Sequence, residues 1–187
     1  MDVVIRRMGA RKGSVEANLS RDIDVYYKKA QSAFSVRGRA DTYDIRHMGD
    51  EAVELAGHRV ESRLLAKMLR NSGQAYLMCA SIPKKDVERI NEAIEKGQGL
   101  RALVYDAYAS ELADGALDIM MQSRNDALRR TGGKLTAKRF SAGYGDLDIK
   151  YQGFFYDLLQ MKTLGVDIND SFLLIPEKSV IAIAGVE

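Results

Sequence analysis

Among 187 residues the chain has one cysteine and two histidines, few of the side chains that most often hold a metal. Cys79 by itself excludes an internal disulfide and any cysteine-rich metal site. Neither His47 nor His58 has a second histidine or cysteine at ligand spacing, which removes the common zinc arrangements. Net charge is scarce as well: the formal total is +2, so the whole chain carries no electrostatic footprint for nucleic acid. Long apolar runs are missing; stretches such as "AYLMCAS" fall far short of a membrane span. The opening "MDVVIRRMGARKG" lacks the apolar core of a secretory signal, and the expectation is a cytoplasmic protein. There is no internal repeat, no low-complexity segment, no phosphate-binding P-loop and no nucleophile elbow.

What the chain does contain is ordinary for a folded domain, with 46% hydrophobic and 29% charged residues. The N-terminal third is the least legible, and the basic group in "IRRMGARKG" reads as a solvated terminus. "SRDIDVYYKKAQSAF" has helical spacing, with Ser20 as its cap and Ile23, Tyr27, Ala30 and Phe34 on one side. "AVELAG" reads as a short strand. "HRVESRLLAKMLRN" reads as a helix with Val60, Leu64, Lys67 and Met68 on one face. "QAYLMCAS" is expected to be a buried strand. The segment after Pro83 carries Val87, Ile90 and Ile94 at helical spacing and ends at glycine.

"LRALVYDAYASELADGALDIMMQSRNDALRR" is the longest helical pattern and is apolar almost all round, which predicts a central, buried helix. "LTAKRFS" then reads as a strand, followed by a glycine loop and a helix with Leu147, Tyr151, Phe154, Phe155 and Leu158 on one stripe. The tail "SFLLIPEKSVIAIAGV" reads as two strands joined in a hairpin at "PEK". Strands and helices mix without a repeating β-α-β order, which predicts the α+β class.

Two places concentrate chemistry. On the long helix, Leu100, Leu103, Val104 and Ala107 share a face that Glu111, Asp114 and Asp118 continue. Either the helix leaves the core there and the acids meet water, or Glu111 is a half-buried carboxylate that needs a partner. The second place is "RFSAGYGDLD", Arg139 to Asp148, where two glycines flank one tyrosine. A dinucleotide fingerprint needs a third glycine where Asp148 stands, and Asp146 adds a second acid that a phosphate would meet as a like charge. One reading is a plain strand-to-helix turn with Asp146 as N-cap and Tyr144 in the core. It gives no reason for Arg139. The other is a small-molecule loop in which a guanidinium, flexible backbone and an aromatic ring converge on a phosphate-free adenosine carrying a positive centre.

Taken together, "RFSAGYGDLDIKYQGFFYDLL" and "LGVDINDSFLLIPEKSVIAIAG" resemble the activation domain of cobalamin-dependent methionine synthase. The shared pattern is Arg-x-x-x-Gly-Tyr, a helix ending in a leucine-rich turn, a "GV-x-(I/L)-x-(D/E)-S" segment and a "P-x-x-SV" strand. Gly165 to Ser171 and Pro176 to Val180 match the last two. The resemblance is best over 75–187 and weak over 1–74, and implies one domain across 1–187. It also implies a helmet-like α+β fold, a twisted antiparallel sheet packed with helices.

The resemblance further implies binding of S-adenosylmethionine. Arg139 matches the arginine that engages the ligand's methionine end, and Ser141 falls where backbone meets the adenine. Gly143 and Tyr144 match the loop's Gly-Tyr, and Glu111 falls at a ligand-contacting glutamate. No cobalamin-binding module is evident, so the cobalamin is expected from a partner, a methionine synthase lacking its own activation domain. A flavodoxin or other donor would supply the electron for reductive methylation of cob(II)alamin. The family often has proline where this chain has Gly145, and a late aromatic contact has no counterpart in "SVIAIAGV". Those departures keep a second expectation, a non-catalytic S-adenosylmethionine-binding or interaction module for a corrinoid methyltransferase. A nicotinamide- or flavin-dependent oxidoreductase rests on "GYGDLD" alone.

Overall fold

A computed structural model describes residues 1–9 and 16–187. Arg11 and Lys12, part of the basic N-terminal group, lie outside the described residues. In chain order the elements are α1 (Asp2–Arg7), α2 (Ala17–Ala33), β1 (Arg37–His47), β2 (Ala52–Leu55), β3 (His58–Glu61) and α3 (Arg63–Met68). They continue with β4 (Gln74–Ser81), α4 (Lys84–Glu95), α5 (Gly99–Leu128), α6 (Tyr151–Leu158), β5 (Asp167–Ile168), β6 (Leu174–Ile175) and β7 (Ser179–Val186). The expected α+β class is the observed one. Five strands form an antiparallel sheet in the order β3-β2-β1-β4-β7, and β5 pairs separately with β6.

The unbroken apolar run of β4 follows from burial on both faces, with β1 and β7 as its neighbours. Side chains alternate across a strand. Ala75, Leu77 and Cys79, with Ile181 and Ile183 of β7, pack towards α3 and α6. Tyr76, Met78 and Ala80, with Ala182 and Ala184, pack towards Leu117, Met120 and Met121 of α5. Small residues on that second face let the 30-residue α5 lie close to the sheet. A Cβ at Gly38 of β1 would stand 2.3 Å from Met120 Cε and 2.7 Å from the Cys79 carbonyl, so only glycine fits. Burial pushes the Cys79 thiol up to about 11, which leaves it an inert core group.

The N-terminus is not a solvated tail up to Arg7. Val4 and Ile5 are buried in one cluster with Ile23 of α2 and Val104 and Ala107 of α5. At the other end of α2, the buried carboxylate of Asp86 accepts from Ser35 N (3.0 Å) and Ser35 Oγ (2.8 Å), fastening the turn into β1 onto α4.

Several local expectations are corrected. The helix α2 begins at Ala17, one turn before Ser20, and Ser20 is not its cap. His58–Glu61 is a strand, not the start of a helix. Ala56 and Gly57 both have positive φ (48° and 79°), the turn geometry that sends β2 straight back as β3 and pairs Val53 with Val60. "LTAKRFS" is not a regular strand: only Leu135 and Phe140 bridge to β7. Between them the Thr136 hydroxyl accepts from Gly185 N at 3.0 Å, taking the place of a ladder bond. The tail is not a hairpin either, because β6 pairs with β5 while β7 is drawn into full register with β4. Strand β1 was not visible in the sequence, since "RGRADTYDIRH" has neither apolar alternation nor an apolar run.

Candidate functional site

The glycine loop is built from its fixed ends inwards. Phe140 is bonded to Ile183 of β7 in both directions, at 2.9 and 2.8 Å, which anchors the entry. Gly143 N then donates to Leu147 O (2.8 Å) and Leu147 N to Tyr144 O (3.1 Å), closing a compact turn. Gly143 and Gly145 have φ of +87° and +57°, a region costly for other residues. A Cβ on Gly145 would also come within 2.5 Å of Leu64 Cδ1.

The two acids after the glycines serve the loop. Asp146 does not cap the helix that follows it. It accepts from Ser62 Oγ, Arg63 N (2.8 Å) and Leu64 N (3.3 Å), and so caps α3, a helix far away in sequence. Asp148 accepts locally from Lys150 N at 2.9 Å. The hydroxyl bond from Ser62, aided by the backbone donors of Arg63 and Leu64, holds the Asp146 carboxyl below its ordinary 3.8. A depressed carboxyl contributes stability that is complete above its unfolded pKa and is lost as pH falls through the folded one. Asp146→Asn should therefore flatten the decline of thermal stability below about pH 4, leaving a smaller difference between neutral and acid midpoints than in the wild type. Parallel acid limbs for the two proteins, read from thermal scans, would contradict this role.

Above this loop lies a cleft of about 420 Å³. Its walls are Arg139 to Ala142 and Tyr144 of the loop, Gln152 of α6, Ser179 to Ile181 of β7, and Asp114 of α5. Past Asp114 and Tyr144 it continues into a recess of about 320 Å³ lined by Arg7, Ser110, Glu177 and Lys178. These volumes fall in the range of small-molecule sites. A shallower hollow of about 480 Å³ beside Ser62 and Arg63 is a weaker candidate. Its charges are already paired with one another, Arg59 with Glu61 and Arg63 with Glu51, and its Asp146 is used in capping.

One edge of the cleft is an alternating ladder of charge. Glu111, Asp114 and Asp118 follow one another on one side of α5, three and four residues apart. Arg7 Nε lies 2.6 Å from Glu111 Oε1 and Arg7 Nη2 lies 2.6 Å from Asp114 Oδ2. Arg139 pairs with Asp118 and reaches within 3.8 Å of Asp114. Lys178 Nζ closes the far end on Asp106 Oδ1 (2.6 Å) and Ser110 Oγ (3.0 Å). The acids thus do not simply meet water. The helix beneath them stays in the core, with Ala113 and Leu117 buried.

Of the residues singled out in the sequence, Arg139, Ser141 and Tyr144 line the cleft directly. Tyr144 is 70% exposed, which excludes a core role and leaves its ring free at the mouth. Gly143 shapes the turn behind them. Glu111 is not among the residues that line the cleft or the recess; its carboxylate is engaged by Arg7, one turn from Asp114. Asp114 as a wall residue was signalled by the acidic stripe. Arg7, Gln152, Lys178 and the backbone of β7 were not, because their approach is created by packing. The histidines have structural roles, His47 bonding the Ser72 carbonyl (3.0 Å) and His58 stacking on Phe154.

Fold and site define a class: an α+β domain whose antiparallel sheet carries an open, charge-laddered cleft between a glycine loop, a long helix and an edge strand. Within that class, the chain shares the fold of the MetH reactivation domain, solved as a crystal structure bound to AdoHcy. The TM-score is 0.66 at 14% sequence identity, and the alignment covers 90% of this chain and 64% of that one. This chain therefore spans just under two thirds of that chain's length. No family model matches, and no curated protein matches.

Proposed function

We propose that the cleft binds S-adenosylmethionine and that the chain serves as a reactivation component for a cobalamin-dependent methionine synthase lacking its own activation domain. One observation carries the reading. Arg139 and the carboxylate of Asp114 stand on the walls of the cleft, with Glu111 one helical turn from Asp114 on the same side of α5, charge for charge opposite to the carboxylate and ammonium of an amino-acid end. A guanidinium fork suits a carboxylate, and acids suit an ammonium and a nearby sulfonium. Ser141 and its neighbours offer backbone to an adenine, with the free Tyr144 ring beside it. The MetH reactivation domain in the related structure is bound to AdoHcy, which supports the same ligand class here.

In this role the chain's residues bind and orient, while the sulfonium supplies the methyl group. One electron from a flavodoxin or other donor would first reduce the partner's cob(II)alamin, and the reduced cobalt would then take the methyl as the sulfonium S–C bond breaks, leaving S-adenosylhomocysteine. Calorimetric titration with S-adenosylmethionine, S-adenosylhomocysteine and NAD tests the first half. Saturable binding is expected for the S-adenosyl compounds and none for NAD, whose phosphates would face the acids of α5. Absence of any S-adenosylmethionine binding would sink the reading.

A second reading is favoured by one feature of the cleft. The part of β7 that lines it is Ser179, Val180 and Ile181, with no aromatic residue. On that reading the chain is a binding module without methyl transfer. A partner loaded with cob(II)alamin, a reductant and S-adenosylmethionine separates the two: methylcobalamin formed only when this chain is present excludes the passive module.

A further inference from the structure

The N-terminal helix places a cation where the proposed ligand would place its own. Helix α1 is held by buried Val4 and Ile5, and its last residue, Arg7, projects over α5. Its Nε and Nη2 each lie 2.6 Å from a carboxylate, Glu111 and Asp114 respectively. These are the same two acids that suit the ammonium of S-adenosylmethionine. Arg7 also lines the recess beyond Asp114, so its guanidinium stands within the cleft's own continuation.

We infer that Arg7 is a specificity-determining residue: an internal guanidinium that occupies the ammonium subsite and must be displaced by a ligand bearing an amino-acid end. The inference rests on reading the cleft as an S-adenosyl site. Two carboxylates satisfied by a guanidinium fork have no need of a second cation. A ligand that brings its own ammonium therefore binds only the fraction of molecules in which Arg7 has swung away, and its apparent Kd is the intrinsic Kd divided by that fraction. The Arg7 side chain is 39% exposed, so it can leave by rotation while Val4 and Ile5 keep α1 docked. A ligand with the same adenosine and sulfur but no amino-acid end, such as 5′-methylthioadenosine, has no contest with Arg7.

The test is a set of titrations of wild type, Arg7→Gln and Arg7→Lys with S-adenosylmethionine and with 5′-methylthioadenosine. Arg7→Gln should lower the Kd for S-adenosylmethionine about tenfold, the gain when the competent fraction rises from roughly a tenth to nearly all. Its Kd for 5′-methylthioadenosine should not move, and Arg7→Lys, which keeps a cation, should stay near wild type for both. A general loosening of the fold would shift both ligands together, and that result overturns the inference. So does unchanged or weaker S-adenosylmethionine binding by Arg7→Gln while the wild type binds; Arg7 is then an organiser of the acids, and the reading of the cleft stands. If no variant and no wild type binds S-adenosylmethionine, the reading of the cleft fails and the inference goes with it.

Discussion

Replacing Arg139 by alanine is expected to weaken S-adenosylmethionine binding by roughly 1.5–3 kcal/mol, the range for a hydrogen bond to a charged group. That is about a ten- to 150-fold rise in Kd. Arg139 is the one cation on the wall formed by the loop, and the structure places it against Asp118 and Asp114 rather than free in solvent. Removing it takes away the fork that would hold a carboxylate and leaves two acids facing that group. Asp118 is 69% exposed, however, so losing its partner costs little folding stability, and the thermal midpoint should hardly change. Arg139→Lys should recover only part of the affinity, because an ammonium keeps the charge but not the planar fork. Calorimetry on both variants separates charge from geometry. An unchanged Kd for Arg139→Ala would remove this residue from the site.

Truncating Leu117 to alanine is expected to cost about 3–4 kcal/mol of folding stability. Leu117 is fully buried on α5, directly between the acids at 114 and 118. It packs on Tyr76, Met78, Leu135, Ala182 and Ala184, the face where α5 already lies tight against the sheet. The helix is held to the sheet from Ala116 to Leu128, and two of these neighbours are alanines, whose methyl groups cannot swing inwards. The hole therefore cannot close fully, which keeps the cost above the lower end of the usual range. Urea unfolding should show a lower midpoint with an unchanged slope. A loss below about 1 kcal/mol would mean that α5 settles onto the sheet, and Asp114 and Asp118 would then move relative to Arg139.

How much was legible in the sequence depended on where each signal was local. β4, α4 and α5 were readable because length, apolar content and helical spacing agree within each segment. The β2–β3 hairpin was hidden: "HRVES" imitates the charged side of a helix, and only the positive φ at Ala56 and Gly57 reverses the chain. β1 has no apolar pattern and becomes a strand because β4 and β2 offer it partners on both sides. Asp146 shows the same limit at the loop. An acid after Gly-Tyr-Gly looks like the cap of the next helix, yet its donors come from Ser62, Arg63 and Leu64, brought there by tertiary packing.

By itself, the sequence determined the α+β class, the buried strand and long helix, the unusual loop and the acidic stripe beside it. Those follow from periodicity, burial preference and glycine's access to positive φ, all properties of a short stretch of chain. Only the tertiary structure decided that Arg139, Asp114 and β7 share one cleft, and that Arg7 from the first turns of the chain sits among the acids of α5. Such meetings depend on long-range packing, here Val4 and Ile5 against Val104 and Ala107, and Phe140 against Ile183. Ion pairs between distant residues leave no mark on local pattern, because a charge on a surface helix reads the same whether it meets water or a partner.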